Sequence, residues 1–524
     1  IMDMLKYILL TVVTCLSLWG CYDDKGNYDY HDLDEIVIDS TGAGILANYS
    51  VNRLDVLDIP IKVYFKGKLV NGSEYLYPEL ECNWVVYQQG TDVPIAGRDT
   101  IAEGIELSLP LNLDARQWEL VFTVLNKETG VRAFMKFGLK VNAGLSEGWM
   151  VLYERDGKTD VGILANKRIA PNVVNEQVWV DVFETFTGAS LEGEPVRLLY
   201  SKVTKPEVVM AVTKKDMVAV DPLSFTKLYS FDALFWTAPE VKAPGYYTAF
   251  YNKREMVIND GKVHTANYTT SGSDRSSIHF GAPCYGGYGR LANWSPTTSS
   301  YSAVLYDEVQ QCFKCVKANS SEVSDFPAQD AAVAFDCKNV GLELVASDYG
   351  RAIMSSGFVM GHYEDIVMRD ATGHYYLLIA DFSSQTMVGV GKYDMGRCEG
   401  LSDGIVSVAA GYKGEIFYYA TGNGLYLYDY KGTNTTGDGP VWNVPTGEQI
   451  TCIRLQKYCY GTTMMAPIPV NDCEVLYVAT YNEKEGNGTV YQFMVDPSSG
   501  AVDKGSLLSF SGFGKIKDMG WKIE

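Results

Sequence analysis

The sequence predicts an all-β chain, an immunoglobulin-like sandwich followed by a seven-bladed β-propeller. Short runs rich in β-branched and aromatic residues alternate with turn signals over residues 33–143. After Ala143-Gly144 a hairpin-like unit recurs to the end of the sequence. No long amphipathic helical pattern occurs anywhere, which disfavours α/β folds.

In the first region the strand patterns are EIVIDS, IPIKVYF, ECNWVVYQQG, IELSLPL, WELVFTVLN and RAFMKFGLKVN, with the turn Lys127-Glu128-Thr129-Gly130 between the last two. Cys82 and Trp84 sit two apart on one strand, so both point to one face and into the predicted core. The second region, 147–524, carries seven units, at 148–165, 207–222, 254–266, 302–318, 374–394, 415–430 and 474–497. That is roughly 54 residues per unit, near the period of four-stranded blades. Ile379-Ala380-Asp381, Tyr419-Ala420-Thr421 and Val478-Ala479-Thr480 align as equivalent strand ends. KIKDMGWKIE, 515–524, is placed to pair with the strand beginning at Trp149 and close the ring. The rival architecture is a tandem of further sandwiches.

Upstream, Lys6 precedes the apolar run YILLTVVTCLSL, the layout of an export leader, and the run is too short to span a bilayer. It ends at Leu18-Trp19-Gly20-Cys21, which resembles a bacterial lipobox, with Trp19 bulkier than the small residue usual there. Cys21 is therefore expected to be lipidated, and residues 1–20 to be the signal peptide. Residues 21–32 would be a tether. The acidic pair Asp23-Asp24 resembles the tag that sends lipoproteins to the outer face of the outer membrane. Acyl chains would hold such a protein at the membrane without a spanning helix.

Eleven cysteines are present, and setting aside Cys15 and Cys21 leaves an odd, scattered set rather than a disulfide framework. One or two bridges are open to this set, Cys452 with Cys459 or Cys473 for instance, and the sequence assigns none. The net charge of −20 argues against nucleic acid as a partner.

Few motifs carry chemistry. Cys312 and Cys315 lie three apart on an alternating strand, face opposite ways, and lack the second pair that zinc requires, so no metal is expected. His362-Tyr363-Glu364-Asp365 holds an acid–base set, but it opens a strand-like run and reads as a blade edge or loop. No phosphate loop or G-x-G-x-x-G dinucleotide fingerprint occurs, and no cofactor is expected. Asp156-Gly157 and Asp260-Gly261 read as hairpin turns rather than calcium loops. The glycine-rich stretch 284–295 gathers Tyr285, Tyr288, Arg290, Asn293 and Trp294, stacking faces and fixed donors suited to a sugar or peptide.

The lipobox, the acidic tag, the hairpin 118–141 and Glu147-Gly148-Trp149-Met150-Val151-Leu152 together resemble the PKD-like lipoproteins of gut-type anaerobes, as does CYDDKGNYDYHDLDEIVI at 21–38. That resemblance implies a PKD-like sandwich and an accessory surface protein, not an enzyme. It would bind or handle a glycan or peptide beside a starch-utilisation (Sus-type, SusC/SusD-like) outer-membrane importer. The alternative is a propeller glycoside hydrolase or lyase with a carboxylate pair at its mouth.

Overall fold

The computed structural model describes residues 36–522 apart from 40, 42–44, 54, 71–76, 91–98, 112, 143–146, 171–172, 174–175, 251–253, 268–272, 297–299, 330–331, 356–357, 385, 432–438 and 458–469. Cys21, with its leader and tether, and Cys459 lie outside the described residues. The chain divides into two compact units, meeting at Asn142 and Ala143.

Alternating burial builds the first unit. Its larger sheet has the strand order Asn48–Asn52, Arg132–Asn142, Gln117–Asn126, Leu80–Gln88, Asp99–Glu103. A smaller sheet joins Ile36–Asp39, Lys62–Phe65 and Lys68–Val70, and Val56–Ile59 pairs with Leu107–Pro110. Inward side chains from the sheets meet in one core that contains Val63, Phe65, Cys82, Trp84, Leu120, Phe122 and Leu139. Trp84 is fully buried and its indole N–H donates to the Ile105 carbonyl at 3.2 Å, so its one polar atom is satisfied. At the Lys127–Gly130 turn the Asn126 side chain accepts from the Glu128 and Thr129 amides, and Gly130 takes a positive φ of 73°.

The second unit is a succession of seven main sheets, antiparallel except where Tyr285–Gly286 pairs parallel with Glu322–Asp325, and each hairpin unit found in the sequence falls in a different one. They are numbered here in chain order, starting from the sheet that contains Trp149. Their strands are apolar on both faces because most sheets are covered on both sides. In the second sheet Val209 and Ala211 pack with Met150 and Leu152 of the first, while Met210 and Val212 pack with Tyr247 and Val257 of the third. The Asp156-Gly157 and Asp260-Gly261 turns have positive φ at both central residues (52° and 76°, 51° and 68°), the type I′ geometry that suits twisted hairpins. Strand Lys515–Lys522 pairs antiparallel with Gly148–Arg155, with Trp521 opposite Trp149.

The structure corrects three expectations. Ala420 and Ala479 lie on the second strands of their sheets, but Ala380 lies on the third strand of the fifth. The long strands Glu343–Ser355 and Phe358–Arg369 precede it, and their bulges and internal charges hide them from a repeat pattern. For the same reason His362-Tyr363-Glu364-Asp365 is the interior of a paired strand and not a blade edge or loop. Cys452 and Cys473 are free and buried, because they pack in separate core layers.

Candidate functional site

Seven segments of the second unit converge on a cavity of about 930 Å³. It is lined from strands Pro195–Ser201, Pro244–Phe250, Glu343–Ser355, Ser407–Ala410, Glu448–Leu455 and Lys515–Lys522, and by residues 290–296 ahead of the fourth sheet. Strands present alternate side chains to one face, so a single charged residue inside an apolar run is enough to reach this space.

Polar contacts link these segments one to the next. The Asp518 carboxylate accepts from the Leu198 amide at 3.0 Å and from the Arg454 guanidinium at 2.6 Å. The Arg197 guanidinium lies 4.4 Å from the Tyr246 ring centre, and the Tyr246 hydroxyl donates to the Ser295 carbonyl at 3.0 Å. Trp294 Nε1 donates to Ser347 Oγ at 2.7 Å, and Ser347 donates onward to Glu364 at 2.5 Å. Asp348 accepts from the Ala410 amide at 2.9 Å and from Lys457 at 2.7 Å. The Ile453 amide donates to Ser407 Oγ at 3.0 Å.

The electrostatics of the lining run against those of the chain. The protein carries 64 acidic and 44 basic residues, yet the lining holds seven basic residues and four acidic ones. Burial pushes the Glu364 carboxyl up to about 7, against the pull of its Ser347 hydrogen bond. Asp348 and Asp518 are each engaged by a cation and by backbone amides. Arg197, in contrast, makes no hydrogen bond among the described residues, and its Nε is buried without a partner. Seven buried side-chain polar atoms lack partners among the described residues, and four of them belong to lining residues: Trp149 Nε1, Arg197 Nε, Ser295 Oγ and Trp521 Nε1.

The loop singled out from sequence divides between two places. Arg290, Asn293 and Trp294 line the cavity. Arg290 is highly exposed at its rim and pairs with Glu308 at 2.5 Å. The Asn293 amide lies close to Gly245, where a Cβ would approach its Oδ1 to 2.1 Å. Trp294 is buried, its ring against Phe313 and Phe382. Tyr285 sits instead on the strand edge of the fourth sheet farthest from the cavity, paired with Glu322. Tyr288 folds back so that its hydroxyl donates to the Cys284 carbonyl at 2.9 Å. The sequence reading passed over Arg197, Arg454, Lys457, Asp348 and Asp518. The usable signal was a charge set inside an apolar strand run, as in PVRLLYS, CIRLQK and KIKDMGW.

Residues 21–195 match the PKD-like family. No curated protein matches the chain. Among solved structures, a quinonprotein alcohol dehydrogenase-like protein from Bacteroides thetaiotaomicron is 12% identical, with 93% of this chain and 99% of that one covered at a TM-score of 0.44. The dihydro-heme d1 dehydrogenase NirN is 10% identical over 84% of this chain and 74% of its own, at a TM-score of 0.35. YCF48 from Cyanidioschyzon merolae is 12% identical over 62% and 88%, also at 0.35. Likenesses this distant assign no shared site. The chain is an all-β protein with a PKD-like N-terminal domain and a series of further β-sheets behind it.

Proposed function

We propose that the seven sheets are the blades of a β-propeller and that its central cavity takes a ligand, which makes the protein a surface-anchored binding protein rather than an enzyme. The cavity carries this reading, a space of about 930 Å³ lined from six strands and the 290–296 loop, with charged side chains reaching it from several of them. The ring arrangement is supported by the polar contacts that pass from each sheet to the next and by the pairing of Lys515–Lys522 with the first sheet. A hydrolase or lyase would need two carboxyls free to act across a bond. Glu364, with its raised affinity for a proton, suits one role, but Asp348 and Asp518 are both held by cations. Binding without turnover is therefore favoured.

The anchor belongs to the same proposal: Cys21 carries lipid on the outer face of the outer membrane, and the ligand is passed to a Sus-type importer. The lipobox-like sequence and the acids behind Cys21 support it. Glycan and peptide arrays probed with the purified protein should yield a retained ligand that is lost in Arg197→Ala; release of cleavage products would refute the binding reading. Labelling with an alkynyl fatty acid should be abolished by Cys21→Ala. A mild-detergent pull-down through a C-terminal tag should recover an outer-membrane barrel, and its absence would remove the importer from the proposal.

A further inference from the structure

Among the carboxyls that line the cavity, Glu364 stands apart. Asp348 is held by Lys457, Asp518 by Arg454 and Glu308 by Arg290. Glu364 is only 5% exposed and lies in the interior of strand Phe358–Arg369. Its one hydrogen bond among the described residues comes from Ser347 Oγ to Oε1. Oε2 receives none, yet it is not one of the seven buried atoms that lack partners. It therefore keeps a contact with open space, and the open space that Glu364 lines is the cavity.

The directions of the hydrogen bonds fix where a proton on this carboxyl sits. An indole N–H can only donate, so Trp294 Nε1 gives its hydrogen to Ser347 Oγ at 2.7 Å. The single hydroxyl hydrogen of Ser347 has no other acceptor among the described residues and goes to Oε1. With Oε1 occupied as an acceptor, the proton belongs on Oε2, the oxygen on the cavity side.

The surroundings favour that proton. A buried carboxylate is costly unless a cation or several donors meet it, and Glu364 has one neutral donor. Its partners on the flanking strands are Tyr349 and Ala380, neither of them cationic. Asp348 repels a charge at Glu364, and Asp365 competes with it for one. Lys457 gives its ammonium hydrogens to Asp348 and to the Tyr349 and Ala410 carbonyls, and Arg454 is paired with Asp518. Arg197 pulls toward ionisation from a distance, makes no hydrogen bond to Glu364, and lies over the Tyr246 ring. The Tyr246 hydroxyl donates to the Ser295 carbonyl, and buried His362, lowered to about 4, adds no charge at neutral pH. Burial prevails over these pulls and raises the carboxyl to about 7.

We propose that Glu364 is the ligand-contacting acid of the cavity, donating the proton on Oε2 to a carbonyl, ether or hydroxyl oxygen of the ligand, so that capture is linked to a proton. This rests on the cavity being a binding site and adds the residue that makes the site respond to pH. While the acid is neutral, a ligand oxygen meets a donor. Once it ionises, the same oxygen meets a lone pair and a negative charge, and the ligand is released. Asp348 and Asp518 are engaged, so the acid works as a hydrogen-bond donor with no second carboxyl free to act beside it.

Two measurements separate the acid from the ligand. Dicyclohexylcarbodiimide adds to a protonated carboxyl. The proton passes to one carbodiimide nitrogen, the carboxyl oxygen bonds to the central carbon, and the O-acylisourea rearranges to a stable N-acylurea. Peptide mapping of the native protein should find Glu364 labelled at pH 6.5 and labelled roughly tenfold less at pH 8.5. No label at Glu364, or the same label at both pH values, would overturn the proposal. The glycan and peptide arrays are then read at the same two pH values. Spots that depend on Arg197 should be held roughly tenfold more weakly at pH 8.5 by the wild type. Glu364→Gln, whose amide donates from the same place at either pH, should hold them equally at both. Spots indifferent to pH, or a loss at pH 8.5 that persists in Glu364→Gln, would also overturn it. An array with no retained spot would remove the binding reading and this use of the proton with it, whereas labelling at Glu364 would still mark the acid.

Discussion

Glu364 shows what a single carboxyl does in this environment. In the folded chain its pKa is raised to about 7 from an ordinary 4.5, first by burial and then by the neighbouring Asp348, while Ser347, Lys457 and Arg197 pull it down. An acid held protonated in the fold makes the native state bind more protons than the unfolded one, so its effect on stability is unfavourable with rising pH. The loss runs from about 4.5 to about 7 and amounts to roughly 3 kcal/mol. His362, lowered to about 4 by burial, works in the opposite direction as pH falls through 6.5. Only a variant isolates the carboxyl: the melting temperature of Glu364→Gln minus that of the wild type should grow from pH 5 to pH 8. A difference that stays flat would show that Glu364 ionises freely. Elsewhere, Arg275 and Glu255 form an ion pair with both side chains fully buried. Arg275→Met alone should cost about 3–5 kcal/mol by denaturant unfolding, because it strands a charge. Arg275→Met with Glu255→Leu should recover most of that.

At the scale of the element, strand Lys515–Lys522 has the most to answer for. It pairs with Gly148–Arg155, contributes Ile516 and Met519 to the core beneath Trp149, and supplies Asp518 to the cavity wall. Deleting residues 515–522 should expose the first sheet, lower the melting temperature by at least 10 °C and render the second unit sensitive to protease. A truncated chain that melts like the full one would show that this pairing contributes little. Strands of this kind were legible in the sequence wherever alternation or an unbroken apolar run was clean, as in VVMAVT or RAFMKFGLKV. They were illegible where charged residues and glycines intruded. Asp348, Gly350 and Arg351 break the pattern of Glu343–Ser355, since Asp348 faces the cavity network and a Cβ at Gly350 would approach the Asp365 carboxylate to 2.6 Å. The candidate site suffered in the same way. The aromatic loop advertised itself through composition, whereas Arg197 came as one charge among apolar neighbours and Asp518 as one of several charges in KIKDMGWK, to be placed only by the assembly of several sheets.

Across the whole molecule, eight described cysteines stand outside any disulfide, seven of them buried and Cys398 half-buried. Burial pushes their thiols up wherever a shift is seen, Cys398 to about 11 and Cys337 to about 12, which leaves little thiolate to react. In native protein these eight thiols, followed by peptide mapping after alkylation, should react hardly at all over an hour and become labelled only in denaturant. Rapid native labelling would mean that the core layers open readily. The two units also make separate demands. The first has its own core around Trp84, so Trp84→Ala should cost about 3–5 kcal/mol by denaturant unfolding and leave the second unit's melting unchanged.

The pairing of Trp149 with Trp521 has a consequence in time as well as in space. The two residues are 372 positions apart, and Lys515–Lys522 follows every other described strand of the seven sheets. During synthesis, the first of those sheets waits with one edge bare until nearly all the rest has emerged. An open β edge invites pairing with a stranger. The chain therefore depends on an escort, or on rapid completion, to reach its destination unaggregated.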